Sequence, residues 1–251
     1  MTLTDKLTLM FMKQLLKSPR GRAHFLSQVA DAENNDEGKI FEALKARARG
    51  DHELHRLVAR HAADEERHAW LLEARAAATG VDRPTIPEHL KLLHRLDEAL
   101  GGFFGKPLET NEDVMRMYLL LQVIEERAVT QFPLFKAGIE EVDPETAKVF
   151  EQIEADEERH LKYCQAIARR YAPTQQLHDE TLQHVRRVEA KVFARNSRRN
   201  LEYAMDHGLI ELTFAQRVFW RVVGFASRVI DPSRPTPFMK APVLRPALAH
   251  G

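Results

Sequence analysis

The chain of 251 residues carries 37 lysines and arginines and 37 aspartates and glutamates, so its formal net charge at pH 7 is zero. This balance gives no overall basic surface for nucleic acid, which is therefore excluded as a partner. The single cysteine, Cys164, excludes a disulfide framework and a paired-cysteine metal site, and it favours a cytoplasmic protein.

Apolar residues recur at helical spacing along almost the whole chain, and no segment has a convincing period of two, so the sequence predicts an all-α protein. Residues 1–22 form an amphipathic N-terminal segment without a signal-peptide cleavage site. No uncharged apolar run approaches the roughly 18 residues that span a membrane. Long helices are predicted at about 23–49, 52–79, 111–137 and 144–171.

These four helices pair into two hairpins. Asp51 and Asp143 each stand where the second helix of a hairpin should begin, and Asp is a strong N-cap. Residues 80–110, which include a short predicted helix, are long enough to run the length of a bundle. Two hairpins joined by one long crossover form the ferritin-like plan. Residues 23–171 are therefore predicted to be a ferritin-like four-helix bundle.

Two additional helices are predicted in a C-terminal extension over residues 172–230, at about 175–207 and 209–229, before a Pro-rich tail over 231–251. Segment 209–230 is apolar around most of its circumference, with Arg217, Arg221 and Arg228 on one stripe. It is interpreted as a helix docked on the bundle or on a second copy of the chain. The alternative is an interfacial helix lying on a membrane.

The hexapeptide ADEERH occurs twice, at Ala63–His68 and Ala155–His160. Glu33 precedes Glu65 by the same number of residues as Glu125 precedes Glu157. Within each hairpin the two glutamates are equidistant from the turn, and antiparallel partners placed in that way lie at the same height. The four glutamates are therefore expected in one layer of the bundle.

Within each hexapeptide the second and third acidic residues face different ways. Glu65 and His68 share a helix face at i,i+3 spacing, as do Glu157 and His160, whereas Glu66 does not share a face with His68. Four inward carboxylates and two imidazoles repel one another in an empty core, but two divalent cations balance them. The predicted ligands of two metal ions about 3.5–4 Å apart are Glu33, Glu65, His68, Glu125, Glu157 and His160.

His61 lies one turn before Glu65 on the same face. The corresponding residue in the second copy is Ile153, which cannot bind a metal. The sequence therefore favours a packed histidine near the site over a third histidine ligand.

With one Glu and one Glu-x-x-His in each half, the chain resembles the ferritin-like di-iron carboxylate superfamily. This superfamily includes bacterioferritin, rubrerythrin, demethoxyubiquinone hydroxylase and the bacterial di-iron monooxygenases. ADEERH is similar to the D-E-x-R-H form of the monooxygenases. The resemblance implies two iron ions, with manganese as an alternative. It also implies that Asp64 and Asp156 accept hydrogen bonds that orient the histidines. A register in which each Asp ligates and each Glu lies outside stays open.

The function expected from this resemblance is an O₂-dependent oxidoreductase of monooxygenase or hydroxylase type. Its organic substrate and electron donor are unknown. The alternatives are an iron-binding or ferroxidase protein, a rubrerythrin-like protein that handles peroxide, and a helical scaffold that has lost its metal. The expected location is cytoplasmic, with peripheral membrane contact or homodimer formation through residues 209–230.

Overall fold

The computed structural model describes residues 2–34, 39–226, 237 and 239–247, and within them it contains helices and no strand. The predicted all-α class is therefore confirmed. The helices are, in chain order, α1 Leu3–Leu15, α2 Pro19–Glu33, α3 Lys39–Arg47, α4 His52–Ala77, α5 Leu92–Ala99, α6 Asn111–Ile139, α7 Pro144–Tyr171, α8 Gln175–Asp206 and α9 Phe214–Ala226. A 3-10 turn, Glu88–Leu90, precedes α5.

Most predicted helices agree with these bounds within a few residues, and α4, α6, α7 and α8 correspond to the predictions for their segments. The predicted helix 23–49 is wrong as a single helix, because α2 ends at Glu33 and α3 begins at Lys39. The sequence Asn-Asn-Asp-Glu-Gly at 34–38 is typical of turns. Helical periodicity on both sides concealed this signal. Residues 35–38 themselves lie outside the described part of the chain.

The predicted helix 209–229 is wrong at its start, because α9 begins only at Phe214. Gly208 follows α8 with a φ of 64°, a left-handed conformation that favours glycine and ends a helix. The backbone N–H of Gln216 bonds the hydroxyl of Thr213, which therefore caps α9. Residues 227–229, and Arg228 with them, lie outside the described residues.

Helices α4 and α7 are antiparallel and are tied at both ends by matching contacts. Asp51 caps α4 through a backbone N–H of its first turn and also accepts from Arg170, near the end of α7, at 2.6 Å. Asp143 caps α7 in the same way and accepts from Arg75, near the end of α4, at 2.7 Å. Both predicted N-caps are confirmed, and each also receives an arginine of the opposite helix.

The remaining long helices are held by apolar packing and by buried ion pairs. Helix α2 packs on α4, and α6 packs on both α7 and α8. Arg127 of α6 binds both carboxylate oxygens of Glu189 on α8, each at 2.8 Å. Glu126 of α6 in turn accepts two hydrogen bonds from Arg186, at 3.0 and 2.6 Å. Bidentate pairs of this kind fix the geometry of α8 on α6.

Two apolar clusters lie toward opposite ends of α4, α6 and α7. One cluster includes Leu54 and Val58 of α4 with Ile167 of α7. The other includes Leu72 of α4 with Phe150 of α7. Burial of each such side chain contributes about 1.5–3 kcal/mol. The middle of these helices, between the clusters, carries the buried polar residues.

Candidate metal centre

A group of buried acidic and imidazole side chains meets between the two apolar clusters. Helix α4 contributes three of them, at i, i+4 and i+7 spacing on one face, and α7 contributes two at i,i+3 spacing. The last residue of α2 and the middle of α6 supply one carboxylate each. The group consists of Glu33, His61, Glu65, His68, Glu125, Glu157 and His160. The structure thus brings the six predicted ligand residues together, with His61 as a seventh member.

Four of these residues surround one point where a metal ion can bind. They are Glu33, Glu65, His68 and Glu157, and each offers a ligand atom within 4.8 Å of the others. His68 Nδ1 lies 3.2 Å from Glu33 Oε2 and 3.2 Å from Glu157 Oε1. One imidazole nitrogen and carboxylates from α2, α4 and α7 therefore converge here.

A second set of four residues surrounds an adjacent point. They are His61, Glu65, Glu125 and His160, again with ligand atoms within 4.8 Å of one another. His61 Nε2 lies 3.1 Å from Glu65 Oε1 and 3.0 Å from Glu125 Oε1. His160 Nδ1 lies 3.1 Å from Glu65 Oε1. Glu65 therefore belongs to both sets.

The sequence argument assigned His61 a packing role, whereas the structure places its Nε2 among the ligand-type atoms. Its ring is 1% exposed and lies 4.0 Å from the ring of His160, centroid to centroid. Phe41 and Tyr163 pack edge-on against it. The signal was present in the i,i+4 spacing to Glu65. Comparison with Ile153 obscured it, because that comparison assumed that the two halves are equivalent.

The buried carboxyl groups divide into neutral and ionised members. Burial raises the pKa of Glu33 to about 8, and burial together with the charge of Glu157 raises the pKa of Glu125 well above its usual range. Burial alone would also raise the pKa of Glu157, but hydrogen bonds from its neighbours hold it well below the usual value. The pKa of Glu65 is lowered in the same way. Without a metal, burial therefore favours the protonated form of Glu33 and Glu125, whereas hydrogen bonds favour the charged form of Glu65 and Glu157.

The two histidines of the repeated hexapeptides carry the compensating positive charge. Burial alone would lower the pKa of His68, but its bonds with Glu157 and Glu33 raise it to about 10. The pKa of His160 is raised further, because bonds with Asp64 and Glu157 outweigh the burial. The metal-free group thus holds protons at atoms that a metal ion would need, so metal binding must displace them.

Two aspartates and two arginines form a ring that joins the two hexapeptides. Arg159 donates to Asp156 Oδ1 at 2.5 Å and to Asp64 Oδ2 at 2.7 Å. Arg67 likewise donates to Asp64, at 3.2 Å, and to Asp156. Each arginine therefore bonds its own aspartate and the aspartate of the other copy. The pKa of Asp64 is lowered, because hydrogen bonds from His160 and from both arginines outweigh its partial burial. The pKa of Asp156 is lowered by the bonds from both arginines and from His68.

Each aspartate also contacts the histidine of the other copy. His68 Nε2 lies 3.3 Å from Asp156 Oδ2, and His160 Nε2 lies 3.3 Å from Asp64 Oδ2. An Nε2–H that donates to the aspartate leaves Nδ1 as the free ligand atom, and Nδ1 is the atom that faces the carboxylates in both histidines. This crossed arrangement has the aspartates outside the group and the glutamates inside.

Two buried atoms support the fit of a metal ion to this group. Glu157 Oε1 and His160 Nδ1 are buried, and their close contacts, with His68 Nδ1 at 3.2 Å and with Glu65 Oε1 at 3.1 Å, lack the angles of a well-formed hydrogen bond. A buried polar atom without a partner costs free energy. A metal ion at the first point would satisfy the glutamate oxygen, and one at the second point would satisfy the histidine nitrogen. Carboxylate oxygens and imidazole nitrogens are suitable donors for such an ion.

The neighbouring glutamates lie away from this group, as the sequence predicted for Glu66. Its side chain is exposed, and Glu158 is half-exposed beside Lys162. Glu126 is buried, but its carboxylate binds Arg186 and Gln122 on the other side of α6. Comparison of the chain with models of protein families, with curated proteins and with solved structures found no match.

Proposed function

We propose that the chain is a ferritin-like, non-haem di-iron oxidoreductase of monooxygenase or hydroxylase type, which uses O₂ on an organic substrate. The observation that carries the proposal is the shared carboxylate. Glu65 belongs to both four-residue sets. Glu157 directs one oxygen to His68 and the other to His160, at 3.2 and 3.6 Å. Carboxylates shared between two adjacent sets are what a pair of metal ions requires.

The fold proposed with this function is a four-helix bundle made of α2, α4, α6 and α7, with residues 80–110 as its crossover. Support comes from the pairing of α2 with α4 and of α6 with α7, and from the antiparallel contact of α4 with α7. In ferritin-like di-iron bundles two helices supply one Glu each and the other two supply Glu-x-x-His. Here α2 and α6 carry the single glutamates.

The proposed metal is iron, with manganese as the alternative, because both accept oxygen and imidazole ligands. Four carboxylates balance the charge of two divalent cations, and the residues that would hold them are the seven of the buried group. Iron, when bound, would supply the electrons that reduce O₂. An external electron donor would restore them.

The residues of the chain itself would bind the ions, orient the ligands and exclude water. Asp64 and Asp156 would hold each imidazole with Nδ1 directed inward, and the arginines would keep both aspartates charged. The apolar clusters on either side would keep water from the group. Glu33 and Glu125 would release their protons as the ions bind, since both hold protons in the metal-free form.

The test is an iron titration in air of the wild type and of Glu65→Ala. We expect the wild type to oxidise about two ferrous ions per chain and then stop. Further O₂ consumption should need both a reductant and an organic substrate. Sustained oxidation and storage of many ions per chain would instead make iron the substrate and overturn the oxygenase. Faster oxidation by peroxide than by O₂ would favour the peroxide-handling alternative.

A further inference from the structure

Helix α9 is anchored to the protein along only one side. Trp220 is buried and donates its indole N–H to Gln14 of α1 at 2.7 Å, and its ring packs edge-on against Phe11. The same side chain belongs to the apolar cluster that contains Leu201 of α8. The docked-helix interpretation of segment 209–230 therefore describes one face of α9.

The opposite face of α9 is apolar and exposed. Phe214 is 84% exposed, Val222 is 61% exposed and Val218 is 46% exposed. These positions are spaced at i, i+4 and i+8, so they form one stripe along the helix. Large apolar side chains gathered on one exposed face are unusual on a soluble surface and indicate a binding face.

The charges beside this stripe have one sign. Arg217 and Arg221 are exposed on the flank between the stripe and the buried face, and α9 carries no acidic residue. Neither arginine makes an ion pair with any residue in the described part of the chain. A cationic flank beside an apolar stripe is complementary to an anionic lipid surface.

The size of the stripe distinguishes a lipid surface from a second copy of the chain. A helix of 13 residues is about 20 Å long, so a stripe roughly 10 Å wide covers roughly 200 Å². A stable protein interface buries about 800 Å² on each partner. Insertion of a few apolar side chains with nearby arginines is sufficient at a membrane surface. No described helix is long and apolar enough to cross a bilayer.

We propose that α9 is an interfacial helix that binds the surface of an anionic membrane through Phe214, Val218 and Val222, with Arg217 and Arg221 toward the lipid headgroups. The proposal is independent of the metal centre.

The experiment is co-sedimentation of the full chain with vesicles of phosphatidylcholine, with and without about 30% phosphatidylglycerol. We expect binding to the anionic vesicles at about 0.05 M salt and much weaker binding at about 0.5 M salt. Arg217→Gln with Arg221→Gln should lower the affinity about 25-fold, since each arginine near an anionic surface contributes about fivefold. Phe214→Ser with Val218→Ser and Val222→Ser should abolish binding.

Matched controls change exposed residues elsewhere. Arg83→Gln with Arg116→Gln removes the same charge, and Val142→Ser with Val243→Ser removes exposed apolar groups. Both should bind like the wild type. Equal metal content in all variants shows that the bundle is intact. Absence of wild-type binding to anionic vesicles, or unchanged binding by both α9 variants, would overturn the proposal. So would a wild-type dimer that the serine variant dissociates while lipid binding is absent, because α9 then binds a second copy.

Discussion

The two copies of ADEERH have identical sequences and almost identical surroundings. Asp64 and Asp156 each bond both arginines of the ring. Each also faces the histidine of the other copy at 3.3 Å. The contacts cross between α4 and α7, so the aspartate of each copy faces the histidine of the other copy. The repeat therefore encodes one shared frame and not two independent sites.

The copies differ one turn before the repeated glutamate. In α4 this position holds His61, whose Nε2 lies 3.0 Å from Glu125 Oε1. In α7 it holds Ile153, which is buried in an apolar cluster. One set of ligand-type residues therefore contains two histidines and the other contains one. The ring of two aspartates and two arginines is symmetric, whereas the two sets of ligand-type residues are not.

The largest expected effect is a difference in metal affinity between substitutions of adjacent glutamates in each copy. Glu65→Ala and Glu157→Ala should each weaken binding of Mn²⁺ or anaerobic Fe²⁺ by at least about 100-fold. Glu65 belongs to both positions, and Glu157 directs its two oxygens to His68 and His160. Competition with a chelator would measure the affinities. The controls are Glu66→Ala and Glu158→Ala, which should bind like the wild type. Strong loss in Glu66→Ala with normal binding in Glu65→Ala would show that the register is wrong.

Glu126→Ala is not a suitable control for that experiment. Its carboxylate is buried and binds Arg186 of α8 through two hydrogen bonds. Removal of a buried partner in a bidentate pair destabilises a protein. The expected result is a lower unfolding temperature with metal stoichiometry preserved.

The pH dependence should be nearly as large as the effect of the ligand substitutions. The pKa values of Glu33 and His68 are raised to about 8 and about 10, so metal ions must displace protons from both. Affinity should rise about tenfold or more for each pH unit between about pH 6 and pH 8. In the same window the metal-free protein should become less stable, because raised pKa values stabilise the fold at low pH and that contribution is lost as pH rises. Calorimetric titration and melting curves at several pH values would test both slopes. If neither the metal affinity nor the stability of the metal-free protein changes with pH in this window, the raised pKa values of Glu33 and His68 are contradicted.

Loss of one crossed aspartate–histidine contact should have an intermediate effect on metal affinity. Asp156→Asn and Asp64→Asn should each weaken metal binding about 10–100-fold, because each removes the acceptor that orients one histidine. A double-mutant cycle tests the crossing. Asp156→Asn should add little to His68→Ala but should add its full effect to His160→Ala. The reverse result would pair each aspartate with the histidine of its own copy.

The smallest expected effect on metal affinity comes from the substitution that makes the two copies alike one turn before the repeated glutamate. His61→Ile reproduces the residue of the second copy and should weaken one of the two binding steps about tenfold, leaving the other within a few-fold. Val58→Ala, on the same helix but in the apolar cluster, is the control for altered packing. Equal weakening of both steps would show that His61 does not favour one position.

Much of this architecture could be predicted, because its signals are local. Helical periodicity located α4, α6, α7 and α8, and the aspartate caps followed from the residues that begin α4 and α7. The repeat spacing located the six glutamates and histidines. The helices and their caps depend on neighbours within a few turns of one helix, and the six residues are marked by the repeat itself.

The remaining features could not be predicted, because they depend on contacts between helices. Which aspartate faces which histidine is decided by how α4 lies against α7, and the sequence spacing is the same for either pairing. The repeat pairs His61 with the apolar Ile153 and so predicts a packing role, but the two halves are not equivalent at this position. The end of α2 at Glu33 follows from the Asn34 region, where turn-forming residues interrupt an otherwise helical pattern.

The most direct test that the buried group holds two metal ions is an anomalous difference map from crystals grown with Mn²⁺ or, without air, Fe²⁺. We expect two peaks in each chain. One should lie among Glu33, Glu65, His68 and Glu157, and the other among His61, Glu65, Glu125 and His160. No peak in this group in metal-loaded crystals, or a peak ligated by Asp64 and Asp156 in place of Glu65 and Glu157, would contradict it.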